Sequence, residues 1–593
     1  MPVDKRRIWL RKSLYLLLIV ALLCSAAISL YEYGITSVQD QESILFIFER
    51  GLNLVLSIAL ASYLVFALRE VVHFFPRFLY ILCAVIFLIT VSDYLLDYSI
   101  SAFLHVPYTL LIKLTKISTF ILLALEFSRN LIWLNRLNIG PGKVLALVFS
   151  ILISTGTMLL LLPNATYFPI SPVDALFTAV SAVCITGLST LDVGAVFTPY
   201  GQFVIMLLFQ LGGLGIMTLT SFFAYFFRGG NDYQNQIYLK DFVQSDQLSN
   251  LFNLIRRIIT ITLSIELISA VFIYFSLFGI QSTPDGTKIF NALFHAVSSF
   301  CNAGFTLYSD SIYTQELRFN FALHTVIAFT FIAGSLGFGV IDNLLRYFRT
   351  GFLKRYKAFF FEERNRRSSW LLGTNTRLVL WSSLILSIAG TLLIYILEYN
   401  HTLSAYNWYE KLSVAFFTAT TPRSAGLTVT DTGLIGMPAL FLIIFLMWIG
   451  GGPGSTAGGI KVTTFSLALI STLNLVRGKR KVVLFNREIS KHSIHRCLAV
   501  LFLSLLGIGL TLFLLLIFDG NLGFLPLFFE AVSGFCTVGM SMGITADLST
   551  AGKITLCFAM FIGRLGLLTL LISILKQIGI ENYHYPKEEI FIN

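Results

Sequence analysis

Charge is what this chain has least of. Only 12% of its 593 residues are Asp, Glu, Lys or Arg, where a soluble globular chain carries about 25%. That shortage excludes an ordinary water-soluble enzyme or binding module. The eight histidines are scattered, and no carboxylate pair recurs at helical spacing. A polytopic membrane enzyme would need Asp, Glu or His clustered at one membrane face for metal or acid–base chemistry. It is therefore kept only as a remote alternative. The seven cysteines are Cys24, Cys83, Cys184, Cys301, Cys497, Cys536 and Cys557. Their odd number, without CxxC or Cys/His spacing, suggests neither a disulfide scaffold nor a zinc site.

What fills the chain instead is apolar: 56% of residues are hydrophobic, with a mean hydropathy of +0.80. Runs of about 20 apolar residues recur from end to end, each long enough to cross ~30 Å of hydrocarbon. The first, "IWLRKSLYLLLIVALLCSAAISLY" (8–31), imitates a signal peptide. It is too long for one, no small-residue cleavage site follows, and further spans come after it, so it reads as a retained span. The net charge of +11 lies in clusters such as 4–12, 129–143, 346–357 and 477–496, while intervening connections such as 31–42 and 278–288 carry few Lys or Arg. That alternation is the positive-inside pattern. It predicts a multi-pass protein of the cell (plasma or inner) membrane with both termini cytoplasmic, and no nucleic-acid partner.

Four stretches resemble one another: "TAVSAVCITGLS" (178–189), "HAVSSFCNAGFT" (295–306), "TATTPRSAGLT" (418–428) and "EAVSGFCTVGMSMG" (530–543). Aligned on Gly187, Gly304, Gly426 and Gly539, they recur at separations of 117, 122 and 113 residues, which implies four related units. Ten residues before each glycine stands Phe177, Phe294, Phe416 or Phe529, and six before it Ser181, Ser298, Thr420 or Ser533. In each unit an apolar span (144–163, 256–280, 375–398, 496–518) precedes a segment of 10–14 residues, too short to cross a bilayer. A second span follows (200–227, 319–347, 437–476, 552–577). The short segment reads as a re-entrant helix, and its glycine loop as irregular backbone at membrane depth. Such backbone is tolerated only inside protein or against a water-filled cavity.

Four such loops about one pseudo-fourfold axis would line a pore. The expected filter is Cys184, Ile185, Thr186 and Gly187; Cys301, Asn302, Ala303 and Gly304; Arg423, Ser424, Ala425 and Gly426; and Cys536, Thr537, Val538 and Gly539. Its backbone carbonyls would replace a cation's hydration shell, and glycine allows them to be aimed at the axis without a Cβ clash. Glycines that merely let helices approach would not explain the short helix or the fixed offsets.

"GQFVIMLLFQLGGLGIMT" (201–218), "SSFCNAGF" (298–305), "TPRSAGLT" (421–428), "IGGGPGSTAGGIKV" (449–462), "FCTVGMS" (535–541), "MFIGRLGLLTL" (560–570) and the tail "YHYPKEEIFI" (583–592) together resemble the Trk/Ktr/HKT superfamily of potassium transporters. The resemblance covers roughly 140–593. It implies four M1–P–M2 repeats in an all-α membrane fold, K+ as the transported ion, a homodimer, and a cytosolic nucleotide-binding regulatory ring. Repeats are expected over 139–235, 250–350, 372–478 and 490–593. Two departures stand out. "RSAG" has serine where the family often has threonine. Residues 1–138 also form an extension with four more spans, near 10–31, 44–67, 77–98 and 104–135. In plant relatives, serine at the first filter position accompanies sodium preference; glycine at all four positions here favours potassium. A sodium-conducting protein, or one with Na+ or H+ as coupling ion, stays open.

The third repeat's second span is interrupted by "GGGPGSTAGG" (450–459). No strand precedes it and Lys461 is misplaced for a phosphate loop. It reads as a broken helix, and the resemblance implies an intramembrane gate of Gly450, Gly451, Gly452, Gly454, Ser455, Thr456, Ala457, Gly458 and Gly459, with Lys461 and Arg564 as positive barriers or as anchors for its carbonyls. Membrane-embedded charges are functional candidates because burying them is costly. Their structural alternatives are snorkelling for Lys461 and static helix pairing for Arg564. Glu530 is a candidate counter-charge for Arg423, and Glu266 is either functional or a buried hydrogen-bonded acid.

Overall fold

The computed structural model describes residues 141–215, 251–277, 285–309, 311–314, 317–361, 372–479 and 481–567, and, nearer the N-terminus, 51–60, 74–95, 110–119 and parts of 17–29, besides single positions at 122 and 571. The chain divides into two compact units, Met1–Ile139 with Leu161–Pro169, and Gly140–Leu160 with Ile170–Asn593. In the first, helix α1 (Phe74–Leu95) contributes Phe87 to an apolar cluster with Leu18, Leu22, Leu56, Leu60 and Leu122. Most of the other N-terminal spans expected from the sequence, and the tail at 583–592, lie outside the described residues.

The second unit is helical. Helices α2 (Pro141–Leu160), α3 (Pro172–Val183) and α4 (Pro199–Leu214) come first. Next are α5 (Leu251–Ser276), α6 (Asp285–Cys301), α7 (Phe321–Leu336) and α8 (Phe338–Phe361). Then follow α9 (Thr374–Glu398), α10 (Trp408–Thr420), α11 (Met437–Trp448) and α12 (Val462–Val476). A two-residue hairpin, β1 (Val483–Leu484) and β2 (Arg487–Glu488), leads to α13 (Lys491–Asp519), α14 (Phe524–Phe535) and α15 (Thr550–Leu565). Among the described residues, Gly142–Leu160, Arg256–Ser276, Thr374–Glu398 and Lys491–Leu522 are long and apolar enough to cross a membrane. These four coincide with the first spans expected of each unit, which makes this a multi-pass helical membrane protein.

Local chemistry starts the helices where it should. Ser171 accepts from the Asp174 N–H and Thr198 from the Gly201 N–H, each with proline as the next residue. Asn320 and Ser549 cap α7 and α15 in the same way, and Asn407 and Glu410 form a capping box on α10. Between units one neighbour relation recurs: α4 packs on α6, α7 on α10, α11 on α14, and α15 on α3. The last contact is fastened by Lys553 Nζ donating to Asp174 Oδ1 at 2.9 Å.

Two expectations need correction. The short segment before Gly304 is a 17-residue helix, longer than the 10–14 expected, because "DGTKIF" continues it at its N-terminal end. The span expected over 319–347 is also not one helix. Gly337, at φ +91°, breaks it between α7 and α8, and the two axes are bent by 103°. A Cβ at Gly337 would lie 2.5 Å from the Pro453 carbonyl oxygen, so the third unit's glycine-rich loop occupies the space that the break leaves.

Candidate functional site

Helices α3, α6, α10 and α14 end at Val183, Cys301, Thr420 and Phe535, within a few residues of the four aligned glycines. Each loop then turns left-handed twice. The angles are φ 56° at Ile185 and 90° at Gly187, 57° at Asn302 and 72° at Gly304, 89° at Ser424 and 71° at Gly426, and 49° at Thr537 and 94° at Gly539. For Ile185 and Thr537 that conformation is strained, by about 1–3 kcal/mol each. The surroundings hold it: Cys184, Ile185, Cys301, Ala303, Ala425, Cys536 and Val538 are buried within two apolar clusters. Their side chains therefore pack away from the glycines, which leaves backbone on the other side.

The four glycines meet. A Cβ on Gly187 would lie 2.8 Å from the Gly304 Cα, one on Gly304 3.4 Å from Gly426, one on Gly426 3.1 Å from Gly539, and one on Gly539 3.1 Å from Gly187. The circuit closes: a Cβ would come 2.5, 2.4 and 2.0 Å from backbone oxygen at Gly187, Gly426 and Gly539, Gly304 is tight at 3.1 Å, and all four have positive φ. Hydroxyls brace it from behind. Ser181 Oγ accepts from the Gly187 N–H at 3.0 Å and Ser533 Oγ from the Gly539 N–H at 3.1 Å, while Ser298 Oγ donates to the Phe305 carbonyl at 2.7 Å.

In the third loop the bracing hydroxyl is Thr421, donating to the Leu427 carbonyl at 2.6 Å, and not Thr420, which bonds back to Phe416 and Phe417 in its own helix. The matching buried ring is Phe417 rather than Phe416, which is half-buried against Phe329. The N–H before the glycine bonds the hydroxyl residue's carbonyl across five residues in the other loops (Thr186 to Ser181, Ala303 to Ser298, Val538 to Ser533) but across four here, Ala425 to Thr421. The third loop is thus one residue shorter between the bracing hydroxyl residue and the glycine. It lacks a counterpart of the cysteine at 184, 301 and 536. Arg423 turns its side chain behind the loop, where Nη1 donates to the Ser383 carbonyl at 3.3 Å and Nη2 to Ser387 Oγ at 2.7 Å. Glu530 bonds Ser541 and Thr545 instead, so the expected Arg423–Glu530 pair is not formed.

The glycine-rich loop hangs between α11 and α12. Its base is pinched by a parallel bridge between Ile449 and Ile460, by the Gly450 N–H donating to the Ile460 carbonyl at 2.9 Å and by the Val462 N–H to the Gly451 carbonyl at 3.0 Å. Gly459 turns it at φ 62°. Its body rests against the four-glycine loops: Asn302 Nδ2 donates to Thr456 Oγ1 at 2.7 Å, Thr456 Oγ1 to the Phe300 carbonyl at 3.2 Å, and the Gly458 N–H to Ser424 Oγ at 2.8 Å. Ser424 Oγ in turn donates to the Thr537 carbonyl at 2.9 Å, so one hydroxyl joins the third loop, the fourth loop and the glycine-rich loop. On the other side the Gly452 N–H donates to the Ser335 carbonyl at 2.7 Å and the Phe338 N–H to the Gly454 carbonyl at 3.3 Å. Ala457 and Ser455 are buried within it.

Two cations reach this loop's carbonyls. Arg564 Nη1 donates to Thr456 at 2.6 Å and Lys461 Nζ to Ala457 at 2.6 Å. Lys461 therefore turns inward rather than snorkelling, and Arg564 binds the loop rather than a facing helix. Arg564 Nε and Nη2 have no hydrogen-bond partner among the described residues. Glu266 accepts from Gln210 Nε2 at 3.1 Å, and Gln210 Oε1 accepts from Cys301 Sγ at 3.2 Å. That ties α4 and α5 to the second loop. Sequence reasoning passed over Gln210, Ser335 and the break at Gly337. For the break a signal existed, the spacing of Gly334, Gly337 and Gly339 inside an apolar run.

The chain is similar to known cation transport proteins. The family model for TrkH, a cation transport protein, matches residues 119–583. The Ktr system potassium uptake protein B of Bacillus subtilis is 36% identical over 455 residues, covering 76% of this chain and 96% of that protein. The potassium/sodium uptake protein NtpJ of Enterococcus hirae is 34% identical over 469 residues, covering 77% and 98%. The crystal structure of the potassium transporter TrkH from Vibrio parahaemolyticus superposes with a TM-score of 0.56 at 18% identity, covering 89% of this chain and 97% of that one.

Proposed function

The chain belongs to the TrkH family of cation transport proteins, and on that premise we propose that it takes up potassium ions across the cell membrane. The ions pass through a filter of four loops, gated by the glycine-rich loop at 450–459. It is a transporter and not an enzyme. The observation that carries the reading is the closed circuit of Gly187, Gly304, Gly426 and Gly539. With the flanking side chains packed into apolar clusters, carbonyls are what remains for an ion. Four helices end at the loops, and each helix C-terminus carries roughly half a negative charge. Together they favour a cation in the middle.

The four units form a pseudo-fourfold arrangement, with the transport domain over 139–593 and about four additional helices in 1–138. Both termini face the cytoplasm. Relatives named as parts of a Ktr system support an assembly of several components, which we take to be a homodimer resting on a cytosolic nucleotide-binding ring. The glycine-rich loop obstructs the path below the filter. Arg564 and Lys461 hold its carbonyls in place and add positive charge where a cation would pass.

Glycine at all four filter positions favours K+ over Na+. A second reading, in which Na+ is conducted or acts as coupling ion, is supported by the relative named for potassium and sodium uptake. A membrane potential supplies about 2.3 kcal/mol per charge per 100 mV. A tenfold gradient costs about 1.4 kcal/mol, so roughly 100 mV sustains about fiftyfold accumulation without a coupling ion. Flux into proteoliposomes at clamped potential, with sodium varied, tests both readings. Uptake that follows the potential and ignores sodium supports the uniporter, and uptake that requires sodium supports coupling. Failure to carry potassium under any condition would sink the proposal.

A further inference from the structure

Glu530 lies in the middle of α14, fully buried, and the transport reading above leaves it without a task. Its carboxylate reaches across to the segment that leaves the glycine circuit. Oε1 accepts from Thr545 Oγ1 at 3.0 Å and, in a shorter contact, from Ser541 Oγ. The two hydroxyls are themselves 2.8 Å apart, and Ser541 Oγ accepts from the Gly543 N–H at 2.9 Å. Three oxygens thus form a closed triangle between helix and exit segment. On the near side of Gly539 the same helix supplies Ser533 Oγ, which accepts from the Gly539 N–H. One helix therefore holds the fourth loop at both ends.

The equivalent positions of the first and second units do not hydrogen-bond to their exit segments. Thr178, nine residues before Gly187, donates to the Asp174 carbonyl at 2.9 Å, and His295, nine before Gly304, bonds the Asn291 carbonyl through Nδ1 at 2.7 Å. Both hydrogen-bond partners lie in the residue's own helix, although the His295 ring also stacks on Tyr308 in the segment after Gly304, with centroids 5.1 Å apart. Among the described residues no ion pair accounts for the acid either. The helices packed on α14 are α11, α13 and α15, and α11 carries no charged residue. In α13, Asp519 accepts from the Ser549 N–H and hydroxyl. In α15, Lys553 pairs with Asp174 and Arg564 with the Thr456 carbonyl. Among the described residues Glu530 Oε2 has no hydrogen-bond partner. An acid buried at this depth is costly, and the work visible for it is to accept from two hydroxyls and the Met542 N–H of the exit segment.

We propose that Glu530 is a positioning residue for ion selectivity: with Ser541 and Thr545 it clamps the outgoing half of the fourth loop, and so fixes the distance of the Gly539 backbone from the ion. The proposal rests on the four-loop filter described above. A loop released at this end closes further onto the axis and loses its discrimination against the smaller Na+, without losing the path itself.

The test is the K+/Na+ flux ratio of the full-length chain in proteoliposomes at clamped potential. Glu530→Ala and the double variant Ser541→Ala/Thr545→Val lower the ratio about tenfold while potassium flux persists. Glu530→Gln keeps the ratio within about twofold, because its amide oxygen accepts from the same two hydroxyls. An unchanged ratio in folded, conducting Glu530→Ala or in the double variant overturns the proposal. So does a loss in Glu530→Gln as large as in Glu530→Ala, since charge rather than hydrogen bonding would then be responsible. The double variant leaves α14 intact and decides the matter if Glu530→Ala does not fold. Gly187→Ser separates the two levels. If it too leaves the ratio unchanged, the four-loop filter itself is wrong; if it shifts the ratio and the Glu530 set does not, only the clamp is wrong.

Discussion

Replacing Ser424 by alanine tests one contact between the proposed filter and the proposed gate. The hydroxyl accepts from the Gly458 N–H at 2.8 Å and donates to the Thr537 carbonyl at 2.9 Å. On the proposed reading the second bond lies within the filter and would persist when the glycine-rich loop is displaced, so its loss would cancel between the two states. The first exists only with the loop in place. Removing it takes away a hydrogen bond and leaves the Gly458 N–H buried without a partner, a loss of about 1–3 kcal/mol. Taking about 2 kcal/mol, and 1.4 kcal/mol per factor of ten, the balance moves roughly thirtyfold toward the displaced loop. Basal potassium flux in proteoliposomes at fixed potential should rise by up to that factor. Flux that is unchanged or lower in Ser424→Ala, with folding and selectivity intact, would show that the loop is not a barrier held by this bond.

Further outcomes follow from the same geometry. Gly187→Ser should lower potassium preference over sodium in competition uptake, because its Cβ would come 2.5 Å from the Ala303 carbonyl oxygen; unchanged preference in a folded variant contradicts the assignment. Shortening 450–459 by several residues should raise flux without altering selectivity, and a fall in flux would make the loop a support rather than an obstruction. A chain beginning near Ile139 should still insert and sustain potassium-dependent growth of an uptake-deficient host. Normal membrane levels without transport would place the N-terminal region inside the mechanism.

Much of this was legible in the sequence because the four glycines are constrained on every side. A position crowded at Cβ and with a left-handed φ strongly favours glycine, and four such positions at fixed offsets give the units away. The third unit's missing residue was not legible. "FFTATT" (416–421) offers two phenylalanines and two threonine choices in a row, so counting back from Gly426 lands on a chemically suitable residue either way. Only the hydrogen bonds distinguish Thr421 from Thr420. The break at Gly337 was hidden for a different reason: glycine is common in membrane helices, and the partner that exploits this one, the Pro453 loop, is more than a hundred residues away in sequence. Side-chain pairings such as Arg423 with Ser387 follow from which way each helix faces, and spacing from a loop glycine does not fix that.

The pinched base of the glycine-rich loop has a kinetic meaning. Because Ile449 and Ile460 are bridged, the dozen residues from one to the other can swing as a flap while α11 and α12 stay where they are. Free loops move on the ns–μs scale, but a flap held by several hydrogen bonds opens as a lid does, in microseconds or longer. Single-molecule current records of this chain would then flicker, with brief openings set by the breaking and remaking of a few contacts at Ser424, Asn302, Lys461 and Arg564. Slow bursts would have to come from something that holds the flap aside.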